Sequence, residues 1–120
     1  MRIAILQSAY IQPSVAADYD EEFDPGKYLS DHQCDTYMIT NKIVSAQEVK
    51  EIFAKDYDVF INLCDGAIDE GRAGIEVVKI LEDLGAAYTG AAEHFYEPTR
   101  EQMKAACAAK GVKYPAFVMA

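Results

Sequence analysis

The sequence has little cysteine, proline or glycine, and it has no long apolar run. Its 120 residues include 3 Cys, 4 Pro and 7 Gly. The odd number of cysteines, with no Cys-x-x-Cys pair, argues against a disulfide framework and is typical of reduced intracellular thiols. The first apolar run covers only residues 3–6, too short for a signal peptide or a membrane span. We therefore expect a soluble, cytoplasmic protein with no membrane partner.

Basic residues are also scarce. The chain has 11 Lys and Arg against 20 Asp and Glu, for a formal charge of −9. This charge repels phosphate backbones, so we expect no nucleic-acid partner. Five of the acids lie between Asp18 and Asp24. Their spacing lacks the turn glycine and the terminal glutamate of a calcium loop, so we interpret this segment as a solvated acidic loop.

Apolar residues make up 51% of the chain, enough for a hydrophobic core. By surface scaling, a chain of this size buries about two-thirds of its surface on folding. We therefore expect residues 1–120 to form a single domain that needs neither disulfides nor metals to fold.

Five short apolar runs alternate with helical patterns along the chain. Such runs are typical of strands buried on both faces of a parallel sheet. The sequence thus predicts an α/β, Rossmann-like, doubly wound and mainly parallel sheet of about four to five strands with flanking helices. The predicted strands lie at residues 3–6, 36–40, 59–64, 86–89 and 117–119.

Three helices are predicted between these strands. The first begins at a capping-box pattern, Ser45 to Glu48, and the second covers residues 72–84 and ends at Gly85. The third has Thr99 as its N-cap, paired with Gln102, and stops at Gly111. Residues 10–31 show no clear periodicity, and we expect a loop there that leads into a short helix near residues 27–31.

The segment from Asp58 to Gly66 carries the most functional information. It is an apolar strand that ends in Asn62, Cys64 and Asp65 and breaks at the glycine. Polar residues in this position face the crevice where parallel α/β sheets bind their ligands. A carboxylate there accepts hydrogen bonds from a substrate amine, although Asp65 capping its own turn is the simpler alternative. Cys64 is interpreted as a small buried hydrophobic residue.

Three blocks in order resemble the N-terminal (preATP-grasp) domain of D-alanine–D-alanine ligase and related ATP-grasp enzymes. The first is residues 58–66; the second is residues 71–90, which end in LEDLGAAYTG; the third is residues 99–117, which end in GVKYPAF. Together they cover about half of the chain. The sequence differs from the ligases in three places: it has Asp65-Gly66 where they have His-Gly, Thr99-Arg100 where they have Asp-Lys, and no glycine-rich loop with a His-Glu pair after the first strand.

The resemblance implies an ATP-dependent carboxylate–amine ligase that works through an acyl phosphate, with this domain forming the substrate side. It implies no catalytic residue within the chain, ATP and Mg²⁺ only in the full-length protein, and a connection to the missing ATP-grasp domains at about residues 112–120. The expected partners are those domains and a small carboxylate or amine substrate. The expected substrate-binding residues are Asp65, Gly66, Gln7, Ser8 and Tyr10, and Arg100 and Lys104 are the expected phosphate-side residues.

Two other functions are open at this stage. A receiver-like signalling domain phosphorylated at Asp65 suits the length and the alternation of strands and helices, but Gln7-Ser8 stands where such domains carry an acidic pair that holds magnesium. A non-catalytic binding module is the third possibility. The edge of the last predicted strand, residues 117–120, also predicts association into a homodimer.

Overall fold

A computed structural model describes residues 1–9, 24–67 and 69–113 of the chain. Within these ranges the protein is α/β. Short 3₁₀ helices cover Pro25–Tyr28 and Glu93–Phe95. The strands are β1 (Arg2–Ser8), β2 (Gln33–Ile39) and β3 (Val59–Leu63), and the α-helices are α1 (Ser45–Phe53), α2 (Ile75–Asp83) and α3 (Arg100–Ala109).

The three strands form a parallel sheet in the order β2-β1-β3. In this register Ile5 lies between Thr36 of β2 and Ile61 of β3. All four residues from Ile3 to Leu6 are buried, as expected for a strand with neighbours on both sides. The carboxyl ends of all three strands therefore lie at one edge of the sheet.

The core lies between one face of the sheet and helices α1 and α2, which contact each other. Side chains alternate along a strand, so Ala4 and Leu6 share the face that meets these helices. Among the described residues, Phe60 is the largest fully buried side chain. The helices contribute Val49, Ile52, Val77, Ile80 and Leu81 to the same cluster.

The predicted strand at residues 86–89 is not formed as a strand, so the described sheet has three strands and not four to five. Only Tyr88 pairs with β3, through a single parallel bridge to Phe60. Two features limit the ladder. Gly85 and Gly90, with φ of 67° and 100°, turn the chain before and after this segment. In a continuous strand pair the amide of Asn62 would donate to a backbone carbonyl, but here it donates to the Thr89 hydroxyl, 3.1 Å away.

Helix α1 forms where predicted, but the predicted capping box at Ser45 is wrong. Val44 is the N-cap and makes no side-chain cap, while the Ser45 hydroxyl donates to the carbonyl of Lys42. The Glu48 carboxylate instead accepts hydrogen bonds from the amide and hydroxyl of Thr40. Both side chains that a capping box would use are therefore hydrogen-bonded to the loop before the helix.

The other helices agree more closely with the sequence. Helix α3 begins with the predicted reciprocal bonds between Thr99 and Gln102. Helix α2 ends before Gly85 as predicted but begins at Ile75, three residues later than expected, because the preceding residues make other contacts described below. The first 3₁₀ helix lies slightly earlier than the predicted residues 27–31. Among the described residues, no helix has the length and apolar character needed to cross a membrane.

Several predictions fall outside the described residues. These are the site residue Tyr10, most of the acidic loop at residues 18–24, the strand at residues 117–119 with its edge, and most of the connection at residues 112–120.

Candidate functional site

The carboxyl ends of β1 and β3 contact the loop that precedes α2. Residues at both strand ends donate hydrogen bonds to one carbonyl group of that loop. Gly66 and Gly74 form a parallel bridge, in which the Gly66 amide donates to the Ala73 carbonyl at 3.0 Å. The Ser8 hydroxyl donates to the same carbonyl at 2.5 Å, and Ser8 is only 5% exposed. This arrangement fixes the loop after β3 on the end of the sheet.

Both glycines are required by the close approach of the two backbones. A Cβ atom on Gly66 would lie 2.1 Å from the carbonyl oxygen of Arg72, and one on Gly74 would lie 2.0 Å from the carbonyl oxygen of Gly66. Both obstacles are backbone atoms and neither can rotate away. The predicted site residue Gly66 therefore has a structural reason to be glycine at this position.

Tyr96 fixes a second segment over the end of β3. Its hydroxyl lies within hydrogen-bond distance of the carbonyl oxygens of Cys64, at 3.1 Å, and Gly66, at 3.0 Å. Burial, followed by the nearby negative charge of Asp65, raises the pKa of Tyr96 to about 12. The phenol therefore keeps its proton at neutral pH and remains a donor to these carbonyls.

Asp65 stands at the surface in an ion pair. Its carboxylate lies 3.3 Å from the Arg72 guanidinium, and 72% of its side chain is exposed. Arg72 also binds Glu70 at 3.0 Å. The pKa of Glu70 is lowered, first by the hydrogen bond from the Ala67 amide and then by Arg72. Arg72 thus contacts two acidic side chains of this loop, and α2 begins at Ile75, directly after Gly74 pairs with Gly66.

A cavity of about 310 Å³ opens beside Asp65. Its lining includes the polar residues Asn62, Asp65, Tyr96 and Glu97 and the apolar residues Cys64 and Val78. The volume lies at the lower end of the range of small-molecule sites. The cavity therefore has the size and the mixed lining of a site for a small ligand.

Cys64 lines this cavity and is buried in the core cluster, as predicted. Burial raises the pKa of its thiol to about 12; a hydrogen bond with Ser8 acts in the opposite direction, and the charges of Asp65 and Glu48 add smaller increases. A protonated, buried thiol is a poor nucleophile. Cys64 therefore contributes to the shape of the cavity and not to nucleophilic chemistry.

Of the predicted substrate-binding residues, Ser8 and Gly66 meet at the Ala73 carbonyl, and Asp65 lines the cavity. Asp65 lines the cavity, whereas Gln7, Ser8 and Gly66 do not. Ser8 and Gly66 lie beneath the site and hold its backbone. Tyr10 is outside the described residues.

Arg100 and Lys104 lie one turn apart on α3 and do not line this cavity. Arg100 is exposed in the first turn, and Lys104 is partly buried. Burial, together with the positive charge of Arg100, lowers the pKa of Lys104. Helix α3 has no buried residue, so both side chains belong to a surface element.

Sequence reasoning missed Tyr96 and Glu97. Both lie in the segment that follows Gly90, which has no helical or strand periodicity and only one short 3₁₀ helix. No local pattern marks them, because their importance arises from the approach of this loop to the end of β3. Across residues 1–9, 24–67 and 69–113, no three carboxylate, imidazole or thiol groups are arranged to hold a metal ion.

Comparison of the chain with protein-family models, with curated proteins and with solved structures finds no match.

Proposed function

We propose that this chain is the N-terminal, substrate-side domain of an ATP-dependent carboxylate–amine ligase similar to D-alanine–D-alanine ligase. In such a reaction ATP phosphorylates a carboxylate, and an amine then attacks the acyl phosphate and releases inorganic phosphate. The proposal comes from the three sequence blocks at residues 58–66, 71–90 and 99–117.

The observation that best supports it is the position of Asp65. This residue follows β3 at the carboxyl edge of a parallel sheet, is exposed, and borders a cavity of about 310 Å³. Ligands of parallel α/β sheets bind at this edge. The first block of the resemblance thus ends at a surface that is suited to contact a substrate.

The residues of this chain have separate roles in the proposal. The Asp65 carboxylate accepts hydrogen bonds from the substrate, while Gly66 and Ser8 hold the backbone beneath it. Arg100 and Lys104 offer positive charge to phosphate oxygens at the start of α3. Neither lines the cavity beside Asp65, and we propose that ATP and Mg²⁺ are held by ATP-grasp domains of a longer polypeptide.

Calorimetric titration of the 120-residue chain with magnesium-ATP tests whether the nucleotide site lies outside this chain. A triphosphate needs a cationic cradle and a metal, whereas this chain has a formal charge of −9. We expect no binding tighter than about 1 mM, or roughly −4 kcal/mol. Micromolar binding that is lost in Arg100→Ala would place a complete nucleotide site within these residues and overturn the proposal.

A receiver-like domain remains the alternative, because Asp65 is exposed at the end of β3. Gln7 and Ser8 argue against this alternative, because they stand at the end of β1, where such domains carry the acidic pair that holds magnesium. Incubation with acetyl phosphate and magnesium distinguishes the two. A mass gain of one phosphoryl group that is absent in Asp65→Asn would establish the receiver-like function.

A further inference from the structure

Strand β2 lies at one edge of the sheet, and no second strand pairs with its outer side among the described residues. Natural proteins usually protect such edges with lysine, proline, a bulge or a very short strand. The seven residues of β2, QCDTYMI, include neither lysine nor proline, and their register with β1 is continuous. Their one charged side chain, Asp35, accepts a hydrogen bond from the Tyr57 hydroxyl at 2.6 Å. The outer side of β2 is therefore able to pair with another strand.

Hydrogen bonds at the two ends of β2 show which of its backbone groups point outward. The amide of Gln33 and the carbonyl of Ile39 are bonded to the residues directly before and after β1, so both groups point toward β1. Along a paired strand, successive residues direct their backbone groups to alternate sides. The amides and carbonyls of Cys34, Thr36 and Met38 therefore point away from β1.

The side chains of these three outward-pointing residues lie on the face of the sheet that α1 and α2 do not cover. Tyr37 and Ile39 belong to the core cluster or pack against it, and side chains alternate between the two faces of a strand. Thr36 is exposed, and Met38 is 43% exposed. A strand that approaches this edge therefore meets small or apolar side chains without charge.

We propose that two copies of this chain associate through β2, with the two strands antiparallel about a two-fold axis at Thr36. In this register Thr36 faces the partner's Thr36, and Cys34 faces the partner's Met38. Opposed residues of this kind exchange two backbone hydrogen bonds, so every outward-pointing amide and carbonyl of β2 gains a partner. Because the contact uses the same strand on both copies, it closes at a dimer. The three described strands of each copy then form one continuous sheet.

This register also brings compatible side chains together. Thr36 is the central residue of β2, so all seven residues are paired, and opposed threonines stabilise antiparallel strands. Asp35 faces the partner's Tyr37, and in each copy the Lys55 ammonium group lies 5.2 Å from the centre of the Tyr37 ring. Each carboxylate thus approaches a positive charge of the other copy. A register centred on Asp35 would instead oppose two carboxylates, which is unfavourable.

A single pair of strands buries less surface than the about 1,200 Å² of a stable complex. We therefore expect a weak dimer that forms at high protein concentration. The edge that forms it is distinct from the one predicted at residues 117–120, which lie outside the described residues. The inference does not depend on the proposed ligase function.

Disulfide trapping in the 120-residue chain tests this register. Opposed residues have Cα atoms about 5.5 Å apart, within the range that a disulfide bridges. With Cys34 and Cys107 replaced by serine, Thr36→Cys should form a covalent dimer under mild oxidation by copper–phenanthroline. Met38→Cys in the same background should not, because its two thiols lie about 14 Å apart along the strands. Restoring Cys34 beside Met38→Cys should restore the covalent dimer.

Sedimentation velocity tests the same contact without oxidation. The average mass of the wild-type chain should rise above 13.3 kDa as its concentration increases. Thr36→Lys places two ammonium groups opposite each other and should abolish this rise. Gln47→Lys adds the same charge at an exposed position on α1 and should leave it unchanged. Circular dichroism shows whether each variant is folded.

A chain that forms no covalent dimer through Thr36→Cys would overturn the inference. Equal trapping of the three cysteine variants would do the same, because it would indicate random collision. Equal loss of association in the two lysine variants would place the contact on another surface. These experiments contain no ATP and no substrate, so their failure leaves the ligase proposal standing, and failure of the ligase proposal leaves the dimer standing.

Discussion

Replacing Gly74 with alanine is expected to destabilise the fold by more than about 3 kcal/mol. The added Cβ would lie 2.0 Å from the Gly66 carbonyl oxygen and 2.5 Å from the Tyr96 hydroxyl oxygen. To relieve this contact, the loop must move away from β3 and lose hydrogen bonds to the Ala73 carbonyl. A domain of this size is stabilised by about 5–15 kcal/mol in total. Urea unfolding followed by circular dichroism measures the change.

Gly85→Ala is the matched control for this prediction. Gly85 has a φ of 67°, but a Cβ there meets nothing within 4 Å. Alanine in this left-handed conformation costs about 1–2 kcal/mol through the backbone alone. We expect Gly74→Ala to lower the free energy of unfolding clearly more than Gly85→Ala does. Equal losses of stability would mean that the Gly66–Gly74 contact is not close in solution.

Replacing Phe60 with alanine is expected to cost about 3–5 kcal/mol, as is usual for a large aromatic side chain in a core. Phe60 is 1% exposed on β3. Its ring centre lies 6.2 Å from that of Phe53 and 6.1 Å from that of Tyr57. The substitution removes both ring contacts and leaves a cavity between the sheet and the helices.

Phe95→Ala provides the comparison, because it removes the same side chain where it is 63% exposed. We expect this surface change to alter the free energy of unfolding by less than about 1 kcal/mol. Similar losses for Phe60→Ala and Phe95→Ala would show that β3 is not covered by α1 and α2 as described.

Local sequence patterns predict a helix end correctly when its capping partners lie within a few residues of each other. The capping box of α3 is an example, because Thr99 and Gln102 satisfy each other without any outside partner. The same pattern fails at α1, where Thr40 and Lys42 compete for the side chains of Glu48 and Ser45. A contact with a preceding loop is not visible in a pattern of four residues.

Longer-range contacts explain the remaining differences. The segment around Tyr88 has the composition of a strand, yet the turns at Gly85 and Gly90 leave room for one bridge only. The position of Asp65 was predictable, because a polar residue after a buried strand lies at the carboxyl edge of a parallel sheet. Tyr96 and Glu97 were not, because they reach the same edge from a loop without periodicity.

The most direct measurement of the proposed function is the rate of ATP-dependent phosphate release by the longer polypeptide that the proposal requires, in which this domain is joined to ATP-grasp domains. Amino acids are supplied as the carboxylate and the amine. A hydrogen bond to a charged group contributes about 1.5–3 kcal/mol, so Asp65→Asn should lower kcat/KM for the substrate at least about tenfold. The KM for ATP should not change, and Asp83→Asn should behave as the wild type. An Asp65→Asn variant with unchanged kcat/KM, or the absence of phosphate release with every pair of amino acids, would contradict the account.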